Sequence, residues 1–411
     1  MKYVIIGNST AAVGCVEGIR SADKTGEIVM ISNEVHHTYS RPLISYLISG
    51  KTDRERMKYR PDSFCEDNGC SLITGETVVK IDAENREVLL ADGSRIAYGK
   101  LLVATGSAPF IPPAPGYDGV ESKFTFMSLD DAEALAAAVT PESRVLIVGA
   151  GLIGLKCAEG IHEKVGSITV VDLADRILPS ILDSTGSEIV KRHIEEKGVS
   201  FILGDSAAEF KGNTAVLKSG RELAFDILVT AVGVRPNVSL VKDAGGAVGR
   251  GIAVDSMSRT DLENVYAAGD CTECYDISAE ERRVLALLPN AYIQGYTAGV
   301  NMAGGEARFD NAIPMNAIGF FGLHMITAGS YAGESYERIK DGKEYKRLIT
   351  KDGLLKGYIL IGDVRRAGIY TSLIRERTPL DTIDFELIKD SPQLMAFSKK
   401  ERAAKLGVHT A

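Results

Sequence analysis

Three features of the sequence predict an α/β fold: two parallel-sheet modules of one kind, the second inserted into the first, with a further α/β unit behind them. An apolar strand that runs into a glycine turn and then a helix-like stretch occurs twice, starting at residues 2 and 144. Two matching runs, KLLVATGSAP at 100–109 and DILVTAVGVRPN at 226–237, come one after each of those starts. The stretch from Gly342 to Arg377 reads as a hairpin followed by a helix. At 411 residues the chain exceeds one ordinary domain, and 45% hydrophobic with 25% charged residues is a globular composition.

Residues 2–6 (KYVII) form an apolar run that stops at Gly7 and is followed by the helix-like AAVGCVEGIR. RVLIV at 144–148, GAGLIG at 149–154 and LKCAEGIHEK repeat the pattern. Each is the opening of a Rossmann-like, dinucleotide-binding βαβ unit. The second copy keeps Gly149, Gly151 and Gly154. The first makes the sharp turn, the second lets the backbone approach a pyrophosphate, and the third lets helix pack on strand. The helix N-terminus then offers free N–H groups to phosphate. The first copy departs from this, with Gly7, Ser9 and Ala12 in those places. Serine is small enough to admit a phosphate, and alanine is tolerated third. Each copy supplies an acid at the end of its next strand, Glu34 27 residues after Gly7 and Asp172 23 residues after Gly149. A carboxylate there accepts hydrogen bonds from ribose hydroxyls. One such fingerprint says little; two, each with its acid, say much.

The landmarks run fingerprint, ATG run, fingerprint, TAVG run, then VYAAGDC at 265–271, which contains Gly269 and Asp270. The simplest parse assigns 1–112 and 241–310 to one module, 113–240 to an inserted second, and 311–411 to the third unit, with the proline-rich FIPPAPG at 110–116 as the crossing. A net charge of −8 argues against nucleic acid or anionic lipid as the main partner. MKYVIIGNST does not read as a secretory leader, and no apolar run is long enough to span a bilayer. Six cysteines in so long a chain do not read as a disulfide framework, so a reducing cytoplasm is expected.

These landmarks, in this order and over about 300 residues, resemble the FAD-dependent pyridine nucleotide–disulfide oxidoreductase family. YSRPLISYLISGK at 39–51 and PNAYIQGYTAGVNMAGG at 289–305 are similar to one branch of it, the NADH:rubredoxin reductases and the flavin module of assimilatory nitrite reductases. The resemblance implies that the first module binds FAD. Gly7, Ser9 and Ala12 would lie against its pyrophosphate, and Glu34 on the adenosine ribose. Arg41 and Pro42 would open the helix beside the isoalloxazine, and Thr105 and Gly106 would lie near the flavin cleft. Asp270, after Gly269, would bond the ribityl chain or pyrophosphate-side hydroxyls. It implies NADH on the second module, held by Gly149, Gly151, Gly154 and Asp172, with Gly233 near the nicotinamide half. Taken without the resemblance, Thr105, Gly106 and Gly233 could simply end buried strands, and Asp270 could cap a helix.

Asp172 favours NADH over NADPH. A 2′-phosphate carries about −1.5 to −2 charge, and two unit charges ~4 Å apart at an effective dielectric near 20 repel by roughly 4 kcal/mol. Arg176 would offset this only by turning inward; a solvated arginine is the plainer reading.

Many members of the family relay electrons through a thiol on the flavin-facing helix, where the helix N-terminus stabilises the thiolate. Here that stretch, LISYLISG after Pro42, has no cysteine. Cys65 and Cys70 have C-x4-C spacing, but Cys65 lies 23 residues beyond Pro42, in a short helix expected between Pro61 and Gly69. They read as structural thiols. Cys271 and Cys274 lack the second pair a zinc site would need, and Cys271 is expected at a half-buried place; these too read as structural. Lys156 stands where the family usually has a glutamate facing the nicotinamide–flavin junction. As a candidate catalytic residue beside Arg41 and Pro42, it could stabilise reduced anionic flavin or alter the nicotinamide approach. Alternatively it could snorkel at the surface.

Without a thiol relay, the resemblance implies hydride transfer from NADH to flavin, then electron transfer to rubredoxin or another iron–sulfur carrier protein. Competing destinations are oxygen, as in an NADH oxidase, and a disulfide, persulfide or coenzyme A disulfide, which the cysteine-free helix disfavours. An NADH-responsive flavoprotein acting through a partner is the non-enzymatic alternative. No metal site is expected. His324, in GFFGLHMITAG, reads as packed rather than catalytic. In the third unit Asp352-Gly353, between GKEYKRLIT and LLKGYILIG, suits a type I′ turn. The corresponding domain of the family covers the flavin and often forms a homodimer interface. SKKERAAKLG at 398–407 reads as a solvated helix or a docking surface.

Overall fold

A computed structural model describes residues 1–405. Contacts group the chain into two compact units: residues 1–178, 195–274 and 282–310 form the first, and 179–194, 275–281 and the chain from Asn311 onward form the second.

In the first unit the two glycine-turn starts become equivalent strands of two five-stranded parallel sheets. One sheet runs Val265–Ala267, Lys100–Val103, Lys2–Ile6, Glu27–Ser32, Cys70–Thr74. The other runs Val199–Leu203, Ser167–Asp172, Arg144–Val148, Ile227–Thr230, Lys123–Phe124. Each puts the fingerprint strand in the middle, beside the strand of the ATG or TAVG run. KYVII, RVLIV and ILVT are buried nearly end to end, as a parallel sheet covered on both faces requires. The duplication goes beyond the motifs. Each module also carries a three-stranded antiparallel meander, Val78–Asp82, Glu87–Leu90 and Arg95–Ala97 in one, Ala207–Lys211, Thr214–Leu217 and Glu222–Ala224 in the other. The two crossings between the modules pair with each other, Ser107–Pro109 antiparallel to Val234–Pro236.

The helix Thr10–Ala22, which follows the first turn, packs on the helix Leu288–Met302 from far along the chain. They meet backbone to backbone. A Cβ on Gly14 would overlap the Tyr292 carbonyl and one on Gly18 that of Tyr296, while Gly295 faces the Ala11 carbonyl and Gly299 that of Cys15. No larger residue fits at these points without moving one helix.

The second unit is built on an antiparallel sheet in the order Met315–Phe320, Leu323–Gly329, Leu354–Ile361, Glu344–Lys351, Glu334–Lys340. The helix Ala367–Arg375 packs on it, and Leu348, Tyr358 and Tyr370 fill the core between them. Asp352 and Gly353 have φ of 52° and 70°, both left-handed as a type I′ turn needs. His324 corrects the expectation of a packed histidine: it is exposed on Leu323–Gly329, where the strand's alternation turns its side chain outward. At the tail, Lys399–Lys405 is helical, and Leu406 and Gly407 lie outside the described residues. Among the described residues no helix is long and apolar enough to cross a membrane.

Gly295→Ala should destabilise the protein by about 1–3 kcal/mol, the usual range for overpacking, and lower Tm by several degrees. Gly368→Ala, in a helix with open space around the added methyl, should not lower it. Thermal denaturation of both variants checks the contrast.

Candidate functional site

Gly7 has φ +129°, and a Cβ there would overlap the Ala104 carbonyl, so the turn admits only glycine. The chain then enters the helix Thr10–Ala22 through Ser9, whose side chain makes no capping bond. Ser9, Thr10 and Ala11 line a cleft of about 690 Å³. First-turn N–H groups have no acceptor within their own helix, so this end of the cleft suits an anion. Gly7, Ser9, Glu34, Arg41, Thr105, Gly106, Gly269 and Asp270 all line it. Ala12 is buried in the helix's first turn, and Pro42 sits in the 3-10 turn Arg41–Leu43; neither is part of the lining.

Glu34 lies two residues past its strand, Glu27–Ser32, and its carboxylate is already engaged. Arg41 pairs with one oxygen, and the Tyr39 hydroxyl donates to the other at 2.7 Å. The same hydroxyl accepts from Leu129 N at 2.9 Å and from Arg41 Nη1 at 3.1 Å. A carboxylate has about four lone-pair positions, so Glu34 can still accept from a ligand hydroxyl. Among the described residues lining the cleft, Arg41 is the one cation, facing Glu34, Glu76, Asp131 and Asp270.

Asp270 is not a helix cap. It sits in the turn between the strands Val265–Ala267 and Thr272–Asp276, because CTECYD continues as sheet rather than helix. Gln294, on Leu288–Met302, accepts from Gly269 N at 2.9 Å and from the Thr272 hydroxyl at 3.0 Å, which fixes this turn. Burial pushes the Asp270 carboxyl up to about 6, against an opposing pull from Arg41. Thr105 and Gly106 do more than end a strand. The Thr105 hydroxyl donates to the Asn237 carbonyl at 2.9 Å, Asn237 Nδ2 returns to the Thr105 carbonyl at 2.8 Å, and Asn237 N donates to Gly106 O at 2.9 Å. They staple the two crossings together.

The second turn repeats the first. Gly149 has φ +117°, and a Cβ there would overlap the Ala231 carbonyl; Gly154 lies as close to the Gly149 carbonyl. Gly151 precedes the helix Leu152–Ile161 without a side-chain cap, and the space beside its Cα is open. Asp172 ends its strand and accepts from Ala150 N at 2.6 Å and Ala174 N at 2.8 Å, bracing the turn. Arg176 pairs with Asp175 at 2.9 Å. Gly233, φ +108°, also has open space beside it. A large exposed apolar residue follows each acid, Val35 (66% exposed) and Leu173 (64%).

Lys156 is not a surface snorkeller. Its side chain is 13% exposed and pairs with the buried Glu159. None of the six cysteines lines the cleft. Cys65 and Cys70 are free thiols, and burial, with a hydrogen bond to the neighbouring Cys65, pushes the Cys70 thiol up to about 12. Cys271 is fully buried rather than half-buried, its thiol donating to the Ala268 carbonyl at 3.4 Å. The sequence reading missed Tyr39, Asp131, Asn237 and Gln294 as site residues. Asp131 alone carried a local signal, as the acid of a capping box with Ser128.

Residues 1–295 match the pyridine nucleotide-disulphide oxidoreductase family, and 314–378 match the rubredoxin NAD+ reductase C-terminal domain. The chain belongs to the pyridine nucleotide-disulphide oxidoreductase family. Members of this family are FAD-dependent NAD(P)H oxidoreductases. NADH-dependent phenylglyoxylate dehydrogenase subunit epsilon of Aromatoleum evansii is 32% identical over 391 residues, 92% of each chain. Rubredoxin-NAD(+) reductase of Alcanivorax borkumensis is 31% identical over 369 residues, 88% of this chain and 94% of its own. The structure of putidaredoxin reductase in its covalent complex with putidaredoxin shares the fold, with TM-score 0.88 at 21% identity over 99% of each chain. The chain spans 49% of the assimilatory nitrate reductase electron transfer subunit of Bacillus subtilis, with 30% identity over 388 residues that make up 92% of this chain. The cleft fits a flavin dinucleotide chemically. It combines a glycine-only turn, an uncapped helix end and one arginine for a diphosphate with carboxylates for hydroxyls.

In cofactor-free protein, the Asp270 carboxyl titrates near 6 when folded, against 3.8 for an ordinary aspartate. The folded state then keeps a proton that the unfolded chain releases, so this residue lowers stability as pH rises from about 4 to about 6. The difference between about 6 and 3.8 corresponds to about 3 kcal/mol. Asp270→Asn should therefore gain stability relative to wild type on going from pH 4 to pH 7. Urea denaturation of both proteins at the two pH values checks it, and an unchanged difference contradicts it.

Proposed function

We propose that this chain is an NADH-dependent reductase that passes electrons through FAD to a rubredoxin-like or other iron–sulfur carrier protein, without a redox-active cysteine. The observation that carries this reading is the cleft lining, which holds backbone amides, one arginine and carboxylates but no cysteine sulfur. The match of residues 314–378 to the rubredoxin NAD+ reductase C-terminal domain supports the choice of acceptor. A cytoplasmic location remains part of the proposal, on the cysteine usage alone.

When bound, FAD supplies a ring that accepts hydride and releases electrons onward. In this reading Gly7, Ser9 and Ala12 shape the first turn, where the first-turn amides and Arg41 meet the diphosphate. Glu34 and Asp270 accept from hydroxyls, Gly269 and Gln294 hold the Asp270 turn, and Thr105 and Gly106 close the cleft beside Asn237. Pro42 sets the start of the neighbouring helix. Residues 1–112 with 241–310 form this module, and 113–240 form the NADH module. There Gly149, Gly151 and Gly154 seat the second diphosphate, Asp172 takes the ribose, and Gly233 leaves room for the nicotinamide half. Val35 and Leu173 offer apolar faces to the two adenines. Asp172, whose charge would repel a 2′-phosphate, favours NADH over NADPH; the partly exposed Arg176 pairs with Asp175.

Two experiments test this. Protein reduced by NADH without oxygen should be reoxidised rapidly by rubredoxin and slowly by oxygen; the reverse order would make it an NADH oxidase. Asp172→Ala should narrow the preference for NADH over NADPH in kcat/KM, which we expect to be one to two decades in the wild type given a repulsion of roughly 4 kcal/mol before screening. An unchanged ratio contradicts the role given to Asp172.

A further inference from the structure

A charge cluster built on a buried carboxylate, with one largely buried and one exposed cation, lies where the helix Leu152–Ile161 packs on the helix Ile44–Ile48. The two helices approach closely: a Cβ on Gly160 would stand 3.1 Å from the Ser45 carbonyl oxygen. One turn nearer the second glycine turn, Lys156 pairs with Glu159, and its ammonium lies 4.4 Å from the centre of the Tyr46 ring. The Glu159 side chain is only 5% exposed. From the other side Lys51 Nζ comes to 3.8 Å from Glu159 and 5.8 Å from the Tyr46 ring centre. A buried carboxylate is thus bracketed by two cations from different elements, with one aromatic face beneath both.

Burying an ion pair adds little net stability compared with apolar residues of the same shape, yet removing one partner is strongly destabilising. Such a cluster is therefore better suited to fixing how two elements register than to holding them together. Lys156 and Glu159 travel together on one helix, so sliding Leu152–Ile161 along Ile44–Ile48 would keep that pair but pull Lys156 off the Tyr46 ring and Glu159 away from Lys51. The N-terminus of Leu152–Ile161 is the second cradle, and Ile44–Ile48 follows directly on Arg41 of the first cleft.

We infer that Glu159 is a positioning residue: through Lys156 and Tyr46 it fixes the register of the NADH-cradle helix against the helix beside the flavin cleft. This rests on the proposed function, in which both cradles are loaded. Hydride transfer depends steeply on alignment, and a misplacement of about 1 Å can slow it by about a hundredfold. Lys156 accordingly acts through its neighbours rather than as an isolated charge toward the flavin.

The test uses FAD-loaded full-length protein and two variants. Glu159→Gln leaves Lys156 buried without its carboxylate. Glu159→Gln combined with Lys156→Met removes both charges at similar volume. The readouts are Tm, the rate constant of flavin reduction at saturating NADH, and hydrogen exchange of residues 44–48 and 152–161. We expect Glu159→Gln to lower Tm and to slow reduction at least tenfold. The double variant should recover most of the Tm, while reduction stays slow and exchange stays raised in those two helices. If the double variant restores rate and exchange together with Tm, or if Glu159→Gln lowers Tm without slowing reduction, the cluster is merely structural and the inference is wrong. If wild-type protein is not reduced by NADH, the proposed function fails. In that case exchange in the double variant still decides the register claim, with wild-type protection in both helices contradicting it.

Discussion

The cleft depends on two helices meeting with no side chain between them. Thr10–Ala22 and Leu288–Met302 lie nearly three hundred residues apart in sequence, yet Gly14, Gly18, Gly295 and Gly299 let their backbones touch. That contact brings Leu288 and Ala291 to the mouth of the first glycine turn, and puts Gln294 under the Gly269–Asp270 turn. The returning half of the chain is thereby registered against the half that begins it. With wider helix spacing, the uncapped helix end and Asp270 would no longer face one space. Small-residue contacts of this kind tolerate almost no volume change, because interiors are packed like crystals.

Charge placement is the second constraint. One arginine faces four carboxylates across the first cleft, and the Tyr39 hydroxyl bonds to both Arg41 and Glu34. A ligand with a diphosphate adds negative charge to an already acidic lining, so the helix dipole and backbone amides must carry much of its binding. Burial raises the Asp270 carboxyl, and Arg41, the one cation of the lining among the described residues, offsets this only in part. At the second cradle the acid is braced by backbone amides instead, Ala150 N and Ala174 N. The two modules share a plan but hold their acids by different means.

Much of this was legible in the residues. Strand, glycine turn and helix at Gly7 and Gly149 are local patterns, and so is the Asp352-Gly353 turn, because each is dictated by backbone conformation within a few residues. The insertion followed from the order of the paired runs, whose crossings the structure joins as Ser107–Pro109 on Val234–Pro236. What stayed hidden was long-range. Tyr39 reads as one aromatic among fifteen tyrosines until Leu129 N is seen to donate to it. Glu159, in LKCAEG, gives no sign of burial; its i,i+3 spacing from Lys156 was readable as a helix pair, but not that Tyr46 and Lys51 from another element complete the cluster. Where the reading went wrong, at His324, the apolar neighbours in GFFGLHMITAG suggested packing, while the strand turns this side chain outward; the alternative of Asp270 as a helix cap falls because CTECYD continues as sheet.

The central claim is that one chain holds FAD and NADH so that hydride passes directly between them. Anaerobic titration of the purified protein with NADH, followed by flavin absorbance, tests it most directly. The account predicts a yellow protein with one FAD per chain, whose flavin is fully reduced by one NADH per chain. A protein that stays colourless after incubation with FAD, or whose bound flavin NADH leaves oxidised, would contradict it.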